Sequence, residues 1–150
     1  MAKFTREESG WVVHSITGLD LHTVKYTPLK GYSYIKLPPH LAKKKAIINM
    51  KNEDDECFKR CVTRALNPVG KNHAERISKT LREQAKKLVW DGIKFPMEVK
   101  RIHRFETLNP GLAVNVYMYE GGLKPLRVSK VECSKIHIDL LLISEGEKKH

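Results

Sequence analysis

The sequence predicts an α+β fold, in which a cysteine-led helix and further helices pack on a mainly antiparallel sheet. The helical patterns are grouped in the middle of the chain and the strand patterns follow them as a group, whereas an α/β fold would alternate them. With 150 residues, 41% of them apolar, the chain is long enough to bury one core. We therefore expect a single domain over residues 1–150, with an N-terminal ribbon or extension over 1–40 and a core over 44–150.

The first third of the chain has the pattern of extended structure. Residues 11–26 mix β-branched residues with a glycine break and predict a ribbon, and residues 27–31 predict a turn. Residues 37–39 contain two successive prolines, so we do not expect them to be helical. The short apolar run at 46–50 is a strand candidate.

A helix is predicted over residues 57–66. Four carboxylates precede it, where they favour the helix dipole, and an Asn-Pro pair ends it. Cys57, Cys61 and Ala65 follow one another at intervals of four and form one stripe. Because these side chains are small, we expect the stripe to pack closely against the sheet.

The rest of the chain predicts two more helices and then three strands that form a meander. The first of these helices has an apolar stripe at helical spacing, and the other begins after a proline and ends at an Asn-Pro-Gly turn. The strands are defined by alternating or continuous apolar residues between glycine and proline turns. The predicted helices cover 76–90 and 97–108, and the predicted strands cover 112–119, 125–128 and 135–143.

The charge balance favours a polyanionic partner. The chain has 28 Lys and Arg against 17 Asp and Glu, a formal charge of +11, so we expect weak, salt-sensitive and sequence-independent binding to nucleic acid. Lysines that only solvate the surface are the alternative. No run of about 20 apolar residues is present and the N-terminus is charged, so we expect no membrane partner, an intracellular protein of the cytoplasm or nucleus, and three reduced cysteines.

Cys57 is the sharpest candidate for chemistry. A thiol at a helix N-terminus is expected to have a lowered pKa, and the N–H groups there could hold an oxyanion. Two features oppose this hypothesis: the neighbouring carboxylates would raise the pKa of the thiol, and Cys57 and Cys61 could simply be small packing residues. Their spacing lacks the usual zinc-binding turn, so we expect neither a metal nor a cofactor.

Short motifs occur over nearly the whole length of the chain, at residues 9–11, 25–31, 34–38, 45–49, 52–58, 64–68, 92–96, 125–129 and 140–144. Through these motifs the chain resembles the N-terminal region of type B DNA polymerases encoded by Polinton/Maverick-type transposons and their viral relatives. In that family the chain continues into a zinc-binding segment and the exonuclease and polymerase modules, so the resemblance implies a transposon-derived domain without polymerase activity.

The fold is also similar to that of OTU-type, papain-like cysteine proteases, in which an Asp-Gly-Asn-Cys turn leads into the nucleophile helix. This resemblance implies that Cys57 is the nucleophile, Asp54 lies in the oxyanion loop and His150 is the general base. Asp55 and Glu56 replace the small residues of the family motif, and the position that orients the histidine has no match. The expected function is a deubiquitinase-like hydrolase with an incomplete site, acting on a ubiquitin-like or other protein substrate. The alternative is a non-catalytic domain that binds nucleic acid or protein.

From this pattern we expect Cys57 to be the most reactive thiol although turnover is low. Thiolate formation depends only on the local helix terminus, whereas turnover needs a base that a third group orients. His150 has no such group in the sequence after it.

Overall fold

A computed structural model describes residues 29–70, 72–145 and 148–150. The described part contains four α-helices, one 3₁₀ turn and five strands. The predicted ribbon at 11–26 lies outside the described residues. The helices are α1 (Pro39–Ala42), α2 (Cys57–Leu66), α3 (Lys79–Ala85) and α4 (Ile102–Leu108), and the 3₁₀ turn is Val99–Arg101. The strands are β1 (Leu112–Tyr119), β2 (Leu123–Arg127), β3 (Ile136–Leu142), β4 (Ser144–Glu145) and β5 (Lys148–Lys149).

The α+β class is confirmed, but the connection of the strands differs from the predicted meander. The main sheet has the order β2-β1-β3, with β1 and β2 antiparallel and β1 and β3 parallel. β4 and β5 form a separate antiparallel pair, so two of the three strand pairs are antiparallel. After β2 the chain crosses back to the other side of β1. As a result the apolar stretch of β3 lies beside β1 instead of beside β2.

The core lies between the main sheet, α2 and α4. An aromatic cluster fills it: the ring of Phe105 stacks on Trp90 at 4.8 Å and meets Phe58 edge-on at 5.4 Å between centroids. Phe58 and Val62 are the core residues of α2. The prediction for the small-residue stripe of this helix is therefore wrong in part, because larger neighbours make the core contact and Ala65 is exposed.

Several predicted boundaries are wrong for identifiable reasons. Pro39 is the first residue of α1. The N–H that proline lacks would have no acceptor within the helix at this position, so proline is tolerated there. Residues 46–50 do not form a strand; the side-chain amide of Asn49 instead ties the segment to the carbonyl of Ile35 at 2.8 Å. The helix predicted at 76–90 begins only after Ser78, whose hydroxyl accepts a hydrogen bond from the N–H of Leu81 at 3.1 Å. The helix predicted at 97–108 starts as a 3₁₀ turn.

A buried ion pair joins α4 to the sheet. Glu106, 5% exposed, receives two hydrogen bonds from Arg127 at 3.1 and 2.6 Å and one from the N–H of Val114 at 2.8 Å. Burial acts to raise the pKa of Glu106, but the hydrogen bonds from Arg127, Ser129 and Val114 and the charge of Arg127 outweigh it, and the pKa is lowered. The carboxylate is therefore ionised and fixes the helix on β1 and β2.

In the described residues, no helix has the length and apolar character needed to cross a membrane. The three cysteines form no disulfide, as expected.

Candidate active site

The loop before α2 is held by the side chain of Asp54. This carboxylate accepts hydrogen bonds from the N–H of Glu56 at 3.1 Å and from the guanidinium of Arg60 at 2.9 Å. Asn52, 1% exposed, donates to the carbonyl of Asp54 from below the loop. Burial would raise the pKa of Asp54, but Arg60 and the N–H of Glu56 lower it overall. These contacts set the position from which Cys57 begins the helix.

Arg60 also explains how a run of carboxylates can precede a thiol. Its guanidinium pairs with Asp54 at 2.9 Å and with Glu56 at 2.7 Å, and Lys59 pairs with Glu56 at 3.1 Å. Two of the four carboxylates are thus neutralised by the first turn of α2 itself. The acidic side chains of Asp54 and Glu56 are therefore paired with Lys59 and Arg60.

The thiol of Cys57 is protonated, contrary to the expectation of a lowered pKa. The residue is 5% exposed, and burial raises its pKa strongly. Cys61, Asp54 and Asp55 raise it further, while the N–H of Phe58 opposes them. The stabilisation that the helix N-terminus gives to a thiolate is therefore smaller than the effect of burial, and the thiol keeps its proton in the uncomplexed chain. Because Cys133 is exposed, a reagent in solution is expected to label it before Cys57.

His150 follows β5 and is held by main-chain contacts from two directions. Its N–H and C=O pair with Ile143 at 2.9 and 2.8 Å, which extends the β4–β5 pair by one residue. Its Nδ1 lies 3.3 Å from the carbonyl oxygen of Tyr32. A carbonyl only accepts hydrogen bonds, so Nδ1 carries the proton in the neutral ring and Nε2 carries the lone pair.

The lone pair of Nε2 has no hydrogen-bond partner although the residue is only 8% exposed. Burial lowers the pKa of His150, while the carbonyls of Tyr32, Ser33 and Met50 oppose this shift. The net result is a lowered pKa and an imidazole that is neutral at pH 7. The ring also meets that of Tyr34 edge-on, at 6.0 Å between centroids.

Cys57 and His150 line the same cavity, which has a volume of about 300 Å³. Gly31 separates them: a Cβ added there would lie 2.4 Å from the sulfur of Cys57 and 3.8 Å from the carbonyl carbon of His150. Both atoms are therefore within 4 Å of one point. The thiol and the imidazole are not hydrogen-bonded to each other in the uncomplexed chain, since Nε2 has no partner.

Of the three residues implied by the resemblance, Cys57 and His150 line one cavity, and Asp54 lies in the loop directly before Cys57. The group that accepts a hydrogen bond from the ring of His150 is the carbonyl of Tyr32. Sequence reasoning missed Gly31 and Tyr32 as site residues. The glycine in a turn was a signal, but its closeness to the sulfur depends on contacts far apart in the sequence.

No group of three His, Cys, Asp or Glu side chains within the described ranges could hold a metal ion. Cys57 and Cys61 therefore have no third ligand there. Compared with known proteins, the chain matches no family model, no curated protein and no solved structure.

Proposed function

We propose that the chain is a cysteine hydrolase domain of the papain-like, OTU-like type, with Cys57 as nucleophile and His150 as general base. The observation that carries this proposal is the pairing of a helix-N-terminal thiol with a buried imidazole whose Nε2 has no partner, on the walls of one cavity. A buried unpartnered polar atom costs stability, so its presence in a cavity that a thiol also lines favours a functional role. The substrate that the resemblance to OTU-type proteases implies is a ubiquitin-like or other protein, and we propose that the domain acts inside the cell.

The two groups work as a neutral pair. The thiol is protonated and the imidazole is unprotonated, so the nucleophile forms only when a substrate brings Nε2 and the sulfur into hydrogen-bonding distance. Nε2 then takes the thiol proton while the sulfur bonds to the carbonyl carbon of the substrate. The protonated imidazole afterwards gives that proton to the leaving amine.

The first turn of α2 supplies donors for the oxyanion. The first intrahelical hydrogen bond runs from the N–H of Arg60 to the carbonyl of Glu56, so the N–H groups of Cys57, Phe58 and Lys59 have no acceptor within the helix. Backbone N–H groups at a helix N-terminus stabilise negative charge. Tyr32 offers a neutral carbonyl where a catalytic triad has a carboxylate or amide, so we expect slow turnover.

The test uses a ubiquitin probe with an electrophilic C-terminus and reads the adduct by intact mass and peptide mapping. We expect an adduct at Cys57 that forms about a hundredfold more slowly in His150→Gln, because the base is lost. The rate in the wild type rises with pH through the lowered pKa of His150. Cys61→Ala is the matched control and keeps the adduct. Labelling confined to Cys133, or a rate at Cys57 that is unchanged in His150→Gln, would contradict the proposal.

A second candidate function, nucleic-acid binding, is favoured by a separate concavity of about 230 Å³. Its lining contains four basic side chains and no carboxylate: Lys94, Arg101, His103 and Arg104. Arg101 has Glu98 at 3.5 Å as a partner outside the lining. Phosphate groups are the complementary ligand.

This function predicts salt-dependent binding of an oligonucleotide duplex, measured by fluorescence anisotropy. Arg104→Ala should weaken binding and reduce the salt slope by about one, whereas Arg82→Ala on exposed α3 should change neither. Equal effects of the two substitutions would assign the binding to net charge and remove the concavity as a site.

A further inference from the structure

We infer that the acyl group which Cys57 accepts is aliphatic, and that it lies in the cavity of about 300 Å³ that Cys57 shares with His150. This inference rests on the proposed function and names the substrate class of the same site. The aliphatic lining of the cavity, the state of its polar groups and its volume support it.

Two segments of the chain supply aliphatic side chains to the lining of the cavity. The first is the 46–50 segment, where Ile48 is 49% exposed and Ile47 is partly exposed. The second is the C-terminal part of β3, where the three leucines at 140–142 all remain partly exposed. Partly exposed apolar side chains that line a cleft gain free energy when a ligand removes them from water.

Asn49, Asp139 and Arg64, three of the polar side chains in the lining, each already make at least one hydrogen bond. Asn49 donates to the carbonyl of Ile35 at 2.8 Å, and Asp139 accepts from Asn115 at 2.8 Å. Arg64 donates to the main-chain carbonyls of Asn67 and Arg76 at 3.4 and 3.1 Å. A polar acyl group would find few partners there.

Arg64 supplies the rival hypothesis. It is 5% exposed, its Nε has no hydrogen-bond partner, and it makes no ion pair with a carboxylate of the described residues. A carboxylate at the far end of the acyl group could pair with it. That Nε is closed off from solvent, however, whereas the leucines and isoleucines are partly open. We therefore favour the uncharged chain.

The volume sets the size of the acyl group. At about 30 Å³ for each water-sized group, the cavity holds roughly ten non-hydrogen atoms. An octanoyl chain, or a leucine-like side chain with part of its main chain, fits this volume. A dodecanoyl chain exceeds it.

The reaction with an activated ester shows the atoms that move. Nε2 of His150 takes the proton of the Cys57 thiol, the sulfur bonds to the carbonyl carbon, and the bond from that carbon to the p-nitrophenyl oxygen breaks. The products are a thioester on Cys57 and p-nitrophenol, which receives the proton. Water later releases the carboxylic acid and restores the thiol.

The experiment measures acylation of the full chain by p-nitrophenyl acetate, butyrate, octanoate and dodecanoate. The release of p-nitrophenol gives the rate, intact mass gives the adduct, and rates with N-acetylcysteine correct for the reactivity of each ester. Each buried methylene raises the rate by up to about fourfold, so octanoate, with six more methylenes than acetate, should react up to about 4,000-fold faster when all six are buried. Dodecanoate should gain nothing further.

Two substitutions locate the effect. Ile48→Asp places a charge at the cavity and should remove the chain-length dependence, measured as the ratio of the octanoate rate to the acetate rate within the same variant. Val69→Asp is the matched control, because Val69 is 48% exposed, against 49% for Ile48, and does not line the cavity. It should behave as the wild type.

The outcomes separate this inference from the function on which it rests. Acylation of Cys57 at equal corrected rates for all esters would overturn the inference and leave the thiol chemistry intact. A half-ester of suberic acid that reacts faster than octanoate would overturn it in favour of the rival, with Arg64 as the partner. No acylation of Cys57 by any ester would overturn both.

Discussion

Glu106 beneath the sheet and His150 beside the cavity are both buried polar groups, but their surroundings differ. Both oxygens of Glu106 are hydrogen-bonded, and the ion pair with Arg127 has side-chain exposures of 4% and 15%. The imidazole of His150 has one long hydrogen bond, from Nδ1 to the carbonyl of Tyr32 at 3.3 Å, and its Nε2 is unpartnered. The first region has the polar satisfaction expected of a structural contact. In the second region the unpartnered Nε2 lowers the stability of the fold, as buried polar groups at functional sites commonly do.

The largest effect on stability should come from disrupting the fully hydrogen-bonded pair of Glu106 and Arg127. Glu106→Gln keeps the shape of the side chain but leaves the buried guanidinium of Arg127 without its counter-charge. We expect the free energy of unfolding to fall by about 3–5 kcal/mol, measured by urea denaturation. The exposed pair between Glu83 and Lys86 is the control, and Glu83→Gln should cost less than about 0.5 kcal/mol.

The pH dependence of this contribution has a definite sign. The pKa of Glu106 is lowered below its ordinary value of 4.5, so the stabilisation is fully present above that value and is lost as pH falls through the lowered pKa. If the wild type and Glu106→Gln lost stability in parallel below pH 4.5, the ion pair would not be the source.

A medium effect is expected at the close contact between Gly31 and Cys57. Gly31→Ala places a methyl group at 2.4 Å from the sulfur and should destabilise the fold by about 1–3 kcal/mol through overpacking. In a Cys57→Ala background the same substitution should cost much less, because the sulfur is gone. A double-mutant cycle measures this coupling. Additive costs would show that the two residues do not meet.

The smallest effect is the titration of His150. Because its pKa is lowered from 6.5, the unfolded chain binds a proton in the range just below pH 6.5 while the folded chain does not. Stability should therefore be constant well above pH 6.5 and decline as pH falls through 6.5 toward the lowered pKa of the folded chain. His150→Gln should show a shallower slope. Equal slopes in the two proteins would place the imidazole in contact with solvent.

The sequence predicted elements whose signals are local. The bounds of α2 and β1 are confirmed, because acidic start signals, an Asn-Pro stop and strict alternation belong to the segments themselves. The strand expected at 46–50 is absent because no neighbouring strand is available to pair with it in the described part of the chain. The parallel placement of β3 was missed because it depends on the path of the crossover.

The candidate site shows the same division between features that a local pattern predicts and features that depend on distant contacts. Cys57 was found from its place in a helix, and His150 from a resemblance, but the raised pKa of the thiol depends on burial that a linear pattern does not contain. Arg60 was missed as the partner that neutralises the carboxylates, although its i,i+4 spacing from Glu56 was visible.

Gly31 and Cys57 constrain each other's evolution. A sulfur at position 57 leaves room only for hydrogen at position 31, whereas loss of the thiol would release that restriction. Substitutions at the two positions should therefore be inherited together. A descendant that has gained a larger residue at position 31 is expected to have lost its cysteine at position 57 first. The residue at position 31 therefore indicates whether a lineage has kept the thiol.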